Sequence, residues 1–312
     1  NLIINEPLLL KKQFQNVKKT TLDSLKKDKE NPYNIAFEKW RKLVYFKHPY
    51  AYNTSGYEED ILNITYDNIL SEYEKFKNKN KYLISNNLRI NNKSIEFLKK
   101  NNYEFKYNSI HSDCKNITRF ASTHGDSNQI ILIIGDQTCP RSSLEYLPLK
   151  VLESHLSYGM SSFLFKLFRE KNGLTYDVGV FNPIRLQNSP FLIYLSVSNK
   201  NAILAFKILI ELWGKLISTF IPEKELDLAK IKLKSSFLIS NQTLEEILKR
   251  RIQLIGYNLN PDIDMDYFKK IEDISSEDIL KTTIKYLSKP FLSIYGNKKI
   301  CNQIYELWIK NF

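Results

Sequence analysis

Arg169-Glu-Lys-Asn-Gly-Leu-Thr-Tyr176 decides how this chain is read, because an amphipathic helix passes into a strand across those residues. Upstream, Met160, Phe163, Leu164, Leu167 and Phe168 recur at i, i+3, i+4, i+7 and i+8, the apolar stripe of a helix packed on a core. Gly173 falls where such a helix ends and needs a residue that tolerates positive φ. Leu174-Thr-Tyr-Asp-Val-Gly-Val-Phe181 then alternates, for the most part, as a strand does. The turn therefore predicts a guanidinium and a phenol, seven residues apart, at one end of a sheet. Both donate hydrogen bonds to a carbonyl oxygen, and neither holds a metal well or acts as a base near neutral pH. Arg169 and Tyr176 thus point to a site that grips a peptide backbone.

Outward from this turn, the pattern predicts strands at 117–122, 129–134, 174–181, 190–198 and 291–295. Helices are expected at 148–156, 160–171, 201–220, 223–238, 244–255 and 276–287, with one more near the C-terminus. Before residue 110 the reading is mainly helical, at 8–29, 33–46 and 65–77, with a short strand at 82–84. The polar stretch 86–116 is the best linker. Grouped strands and runs of helices argue an α+β fold, an antiparallel sheet with helices on one face.

The chain also repeats itself. Ile64-Thr-Tyr-Asp-Asn-Ile-Leu70 echoes Ile274-Ser-Ser-Glu-Asp-Ile-Leu280 at an offset of 274 − 64 = 210 residues. Each copy has a hydroxyl residue at the cap position, then a helix, then a short apolar strand. The helix pair before Ile64 mirrors the pair between Glu223 and Ile255 at nearly the same offset. This order predicts duplicated half-domains, with residues 1–110 as the back portion of the first and 111–312 as a complete second. The expectation is one and a half units of a two-unit protein.

Composition excludes several classes. At 312 residues with 43% apolar content the chain can bury a large core. No run of about 18 uncharged apolar residues occurs, since Lys207, Glu211 and Lys215 interrupt the closest stretch, so no membrane partner is expected. The 46 basic against 34 acidic residues give +12, but the lysines are scattered along helix faces, so nucleic acid is not an expected partner either. Cys114, Cys139 and Cys301 are an odd number without ligand spacing and fit a reducing cytoplasm or organelle interior. His48, His111, His124 and His155 lie too far apart in sequence for a zinc motif, and no metal ligand is assigned in this chain. His155 is expected on a solvated helix face, and His111, Asp113 and Cys114 form only a weak cluster.

Taken together, Tyr158-Gly-Met-Ser-Ser162, the segment Leu167 to Tyr176, Ile221 to Lys230 and Ile274 to Leu287 resemble the pitrilysin/insulinase metallopeptidase family, which includes the mitochondrial processing peptidase. His48-Pro-Tyr50 and Gly56 mark the same resemblance in the first hundred residues. It implies half-domains, each a sheet flanked by helices, that pair and close over an unfolded peptide. It also implies zinc on an inverted His-x-x-Glu-His helix plus a distal glutamate, the Glu of the motif activating water. An arginine and a tyrosine from a different half-domain hold the substrate backbone, and those positions fall on Arg169 and Tyr176. The distal glutamate and the acidic residue seven before it fall on Ser24 and Val17; a shift of one residue would bring Asp23 to the ligand position. The resemblance implies a non-catalytic, substrate-binding subunit of a heterodimer, with zinc on a homologous partner chain. A fragment of an active peptidase whose zinc helix precedes Asn1 is the alternative, as is a structural family member without peptidase role.

Overall fold

The computed structural model describes residues 6–79 and 118–312. The strand expected at 82–84, the stretch 86–116 and the cluster His111, Asp113 and Cys114 lie outside them. Within the described residues, 6–31 and 52–79 make one compact unit, and 32–51 with 118–312 make another. Segment 32–51 thus packs with the sheet-bearing unit. The boundary near 110 was read from the sequence repeat, whereas these units are defined by contact.

The first unit is helical: α1 (Lys11–Glu30), α3 (Glu58–Asn63) and α4 (Tyr66–Lys77). Its elements are tied by polar contacts more than by core. Lys18 Nζ donates to the carbonyls of Leu62 and Ile64, both at 2.8 Å, and Phe14 leans on Tyr66 at 6.0 Å between centroids. Only Leu25 of α1 is buried.

The second unit is a five-stranded sheet in the order β1-β5-β2-β4-β3, where β1 is Phe120–His124, β2 Gln129–Gln137, β3 Thr175–Phe181, β4 Pro190–Ser198 and β5 Phe291–Gly296. β2 pairs antiparallel with β4 and with β5, and β3 pairs antiparallel with β4. β1 joins β5 in parallel, so the sheet is antiparallel except at that edge. The helices of this unit are α2 (Pro32–Val44), α5 (Tyr146–Ser157), α6 (Ala202–Leu216), α7 (Glu223–Ile239), α8 (Leu244–Gly256), α9 (Ile263–Lys270), α10 (Ser276–Leu287) and α11 (Lys298–Trp308).

Central strand β2 shows why the sheet is covered twice. Ile130, Leu132 and Ile134 enter a core with Leu149, Leu152, Phe206, Trp213 and Trp308, from α5, α6 and α11. Ile131 and Ile133 point to the opposite face and meet Ala36, Trp40 and Val44 of α2. Successive side chains of a strand face opposite ways, so an unbroken apolar run requires both faces buried. Helices therefore lie on both faces of the sheet, one more than the grouping of strands and helices anticipated. The Ser293 hydroxyl, fully buried on β5, donates to the Ala36 carbonyl at 2.8 Å, and the small Ala36 side chain permits that approach.

The repeat has structural counterparts. Thr65 and Ser275 each cap the following helix with a reciprocal box, closed by Asn68 and Asp278. Among the described residues, Lys47 after α2 and Asn258 after α8 are the non-glycine residues at positive φ, +60° and +56°. The α+β class is what the sequence pattern anticipated, and a sheet flanked by helices is what the resemblance implied. No described helix is long and apolar enough to cross a membrane.

Candidate functional site

The run from Met160 to Phe168 buries less than its stripe suggests. Gly159 adopts φ +75° and its carbonyl accepts from the Ser162 N–H at 3.0 Å, a tight turn that delays the helix and leaves Met160 77% exposed. From Phe165 to Glu170 the backbone is a π-helix, and the Lys171 N–H reaches back five residues to the Lys166 carbonyl. Such turns commonly re-aim side chains at functional sites. Leu164 and Phe168 are buried and anchor the segment, so Arg169 emerges at its end, exposed, with its guanidinium 5.2 Å from the Phe165 ring.

Gly173 takes φ +58°, as the reading of the turn required. Leu174 N–H then donates to the Phe168 carbonyl and the chain enters β3. There the ladder slips: Thr175 pairs with Val197 and Asp177 with Ser196, leaving Tyr176 as the extra residue of a β-bulge. The buried Thr175 hydroxyl lies 2.6 Å from the Asp177 carbonyl and 2.7 Å from that of Ser196, pinning the bulge. An inserted residue breaks the two-residue alternation. Tyr176 and Asp177 are consequently both exposed, and Tyr176 keeps 69% of its surface in water.

Arg169 and Tyr176 therefore stand on the two arms of one turn. Neither is buried, and neither side chain has a hydrogen-bond or ion-pair partner among the described residues. Two donors without side-chain hydrogen-bond partners flank the turn, a chemistry suited to a carbonyl oxygen.

The other singled-out residues have different fates. His48 is structural: its Nδ1 accepts from the Tyr50 N–H at 3.0 Å, so Nε2 carries the proton toward Gln187 Oε1 at 2.6 Å. His155 is not solvated as expected. Its side chain is 11% exposed against the Phe163 ring at 5.3 Å, and burial pushes its pKa down to about 4 despite Glu225 at 3.6 Å, whose carboxylate is half in water. Cys139 and Cys301 are free and buried, with thiol pKa values pushed up to about 11 by burial. Val17 is 64% exposed on α1, and Asp23 and Ser24 are exposed beside it. Among the described residues no three His, Cys, Asp or Glu side chains gather as a metal would need, so the donor set present does not fit zinc.

Sequence reasoning missed a buried polar cluster beyond the far end of β3, where Lys150 Nζ donates to the Asn182 carbonyl at 2.9 Å. Arg141, 1% exposed, lies between the rings of Tyr146 and Tyr267, at 4.4 and 4.0 Å, and pairs with Asp264. Lys150, half-buried, pairs with Glu153 at 2.6 Å. Burial works against its charge, but Tyr146, Glu153 and Tyr158 hold the ammonium above its ordinary pKa. The i,i+3 spacing of Lys150 and Glu153 was readable; the 123 residues separating Arg141 from Asp264 hid that pair.

Residues 88–233 match the family described as the peptidase M16 inactive domain. A chain named an uncharacterized zinc protease from Rickettsia felis is 25% identical over 293 residues, covering 92% of this chain and 70% of that one. The peptidase M16 inactive domain from Pseudomonas fluorescens superposes with a TM-score of 0.78 at 19% identity, covering 95% of this chain and 73% of that one. A chain of complex III2 from Candida albicans superposes with a TM-score of 0.66 at 14% identity, over 92% of this chain and 74% of that one. This chain carries a domain of the peptidase M16 inactive type and is homologous to chains named zinc proteases.

Proposed function

We propose that this chain is the non-catalytic, substrate-binding part of a zinc metallopeptidase, which holds a peptide backbone with Arg169 and Tyr176 beside zinc carried by a homologous partner. The observation that carries this reading is the exposure of both donors on one turn, each without a competing partner. When water attacks a peptide carbonyl, its oxygen gains negative charge. A guanidinium and a phenol aimed there stabilise the transition state more than the ground state. Among the described residues no metal-ligand set gathers to activate the water; zinc on the partner would polarise the carbonyl and supply the nucleophile.

Peptide cleavage by the chain with a His-x-x-Glu-His partner tests this. Arg169→Ala and Tyr176→Phe are each expected to lower kcat by about 100-fold, as loss of one oxyanion donor does, with partner binding unchanged. Unchanged kcat in both variants would reject the role. So would zinc-dependent cleavage by the isolated chain. The likeness to a chain of complex III2 favours a second reading, a family member kept for assembly alone. Intact cleavage by an Arg169→Ala/Tyr176→Phe double variant would support that one instead.

A further inference from the structure

A cavity of about 190 Å³ lies beside the Arg141 cluster, lined from α5, α7, α8 and α9. Three basic side chains line it, Arg141, Lys150 and Arg250, against one carboxylate, Asp264. That carboxylate sits between the two guanidiniums: Oδ1 accepts from Arg141 Nη2, and Oδ2 is 3.5 Å from Arg250 Nε. Lys150 has its own partner in Glu153. Three cations against two carboxylates leave 3 − 2 = 1 positive charge unbalanced within the cluster. The hydrogen-bond donors are in excess too. Arg141 is 1% exposed, yet its Nε and Nη1 have no hydrogen-bond partner among the described residues, and neither has Arg250 Nη1. The Tyr146 and Tyr267 rings attract the Arg141 charge through their faces, which leaves the in-plane N–H groups to other acceptors. A guanidinium sheltered from water with open N–H groups is costly, and an incoming acceptor recovers that cost. The rest of the wall is largely apolar, with Leu233, Phe237, Phe268 and Ile271. Phe237 lies 4.9 Å from the Arg250 guanidinium and 5.3 Å from the Phe268 ring.

We infer that this cavity binds a small monocarboxylate with an apolar body, its carboxylate shared between Arg141 and Arg250 and its body against Phe237 and Ile271. The ligand would repeat what Asp264 does, one carboxylate between two guanidiniums, and its single charge would balance the excess. A dianion would overshoot that balance and press against Asp264. The volume is below the roughly 300–1,000 Å³ of pockets for drug-sized molecules, so one ring or a short chain is the size that fits. Few precisely placed polar groups in an apolar wall are the usual make-up of a small-molecule site. The inference goes beyond the proposed function and does not rest on it, because neither Arg169 nor Tyr176 lines the cavity.

The test is calorimetric titration of benzoate into the 312-residue chain, beside benzamide as a neutral isostere and inorganic phosphate as an anion without an apolar body. Benzoate is expected to bind at least about tenfold more tightly than either, and to shift the methyl resonances of Leu233 and Ile271. Benzamide binding as tightly as benzoate would overturn the carboxylate site, and phosphate binding as tightly would overturn the apolar one. Absence of benzoate binding, or binding that leaves both methyl resonances unmoved, would reject the cavity altogether. Arg250→Gln, at a partly exposed position, should weaken benzoate at least about tenfold while the circular dichroism spectrum is unchanged. Unchanged affinity in that folded variant would also overturn the proposal. Should the variant not fold, the comparison of the three probes on the unaltered chain decides alone. None of these failures touches the role proposed for Arg169 and Tyr176, which partner-dependent cleavage reads.

Discussion

Helices α2 and α8 occupy matching places in the two repeats yet meet opposite surroundings. Each runs into a left-handed residue, Lys47 or Asn258, an offset of 258 − 47 = 211 residues. That offset carries Tyr33, Ala36, Phe37, Trp40 and Val44 onto Leu244, Ile247, Leu248, Arg251 and Ile255. In α2 this face buries Ala36, Trp40 and Val44 against β2, β4 and β5. In α8 only Leu254, at the margin of that face, is buried, while Leu244 and Ile252 remain 45% and 40% exposed. An apolar stripe specifies that a helix forms and which side is sticky. Whether that side is buried depends on a sheet face being there to receive it, and the one described sheet gives its second face to α2.

The contrast is most readily broken at Trp40. Its side chain is fully buried on the sheet, so Trp40→Ala should cost about 3–5 kcal/mol, the range for truncating a large core aromatic. The matching Arg251→Ala should cost less than about 1 kcal/mol, because its ion pair with Asp262 at 2.5 Å is largely exposed. Urea denaturation followed by circular dichroism reads both. Comparable losses at the two sites would mean that α8 is held as firmly as α2.

Within α8 the same rule separates neighbours. Leu254→Ala should lose about 2–5 kcal/mol as a core truncation, and Ile252→Ala about 1 kcal/mol or less. A large loss at Ile252 would show that its side chain is covered in solution.

How far such differences could be read in advance depends on where the controlling physics lies. Strand β4 and helix α10 end where their signals do, at Pro190 and Ser198 and at Ser276 and Leu287, since proline, polar and capping residues act locally. Gly173 was legible for the same reason. The second helical layer was latent in Ile130-Ile-Leu-Ile-Ile134, a run too apolar for a strand wet on one face, but its partner α2 lies almost a hundred residues upstream. The bulge was not legible: Thr175-Tyr-Asp scans as ordinary alternation, and what displaces Tyr176 is the Thr175 hydroxyl reaching across to β4. His155 was misread because its neighbour Phe163 comes from beyond the Gly159 turn, outside its own helix. The arginine and tyrosine were legible as a spaced pair, whereas their exposure is a property of the fold.

Cap residues give the next and smaller test of repeat equivalence. Thr65 and Ser275 hold the same box, with N3 amides at 3.2 and 3.1 Å from the hydroxyls. Each should lose about 1 kcal/mol on replacement by alanine, and exchanging Thr for Ser should change stability by a few tenths of that. Thermal melts of the four variants check this. A silent Ser275→Ala would show that the resemblance of the two caps carries no energy.

The smallest effect distinguishes the two left-handed residues themselves. An L-residue at positive φ pays for its Cβ crowding the next carbonyl by roughly 1–2 kcal/mol, less for asparagine, whose short amide can bond locally. Glycine relieves that strain and adds back unfolded-state entropy of about 0.4–1 kcal/mol. Lys47→Gly should therefore stabilise relative to Asn258→Gly, by about 0.5 kcal/mol, after allowing for the exposed Lys47 contact with the Phe46 ring at 5.4 Å. Paired urea titrations at matched protein concentration measure the difference. Equal gains at both sites would place the strain in the backbone path alone, with no part for the asparagine amide.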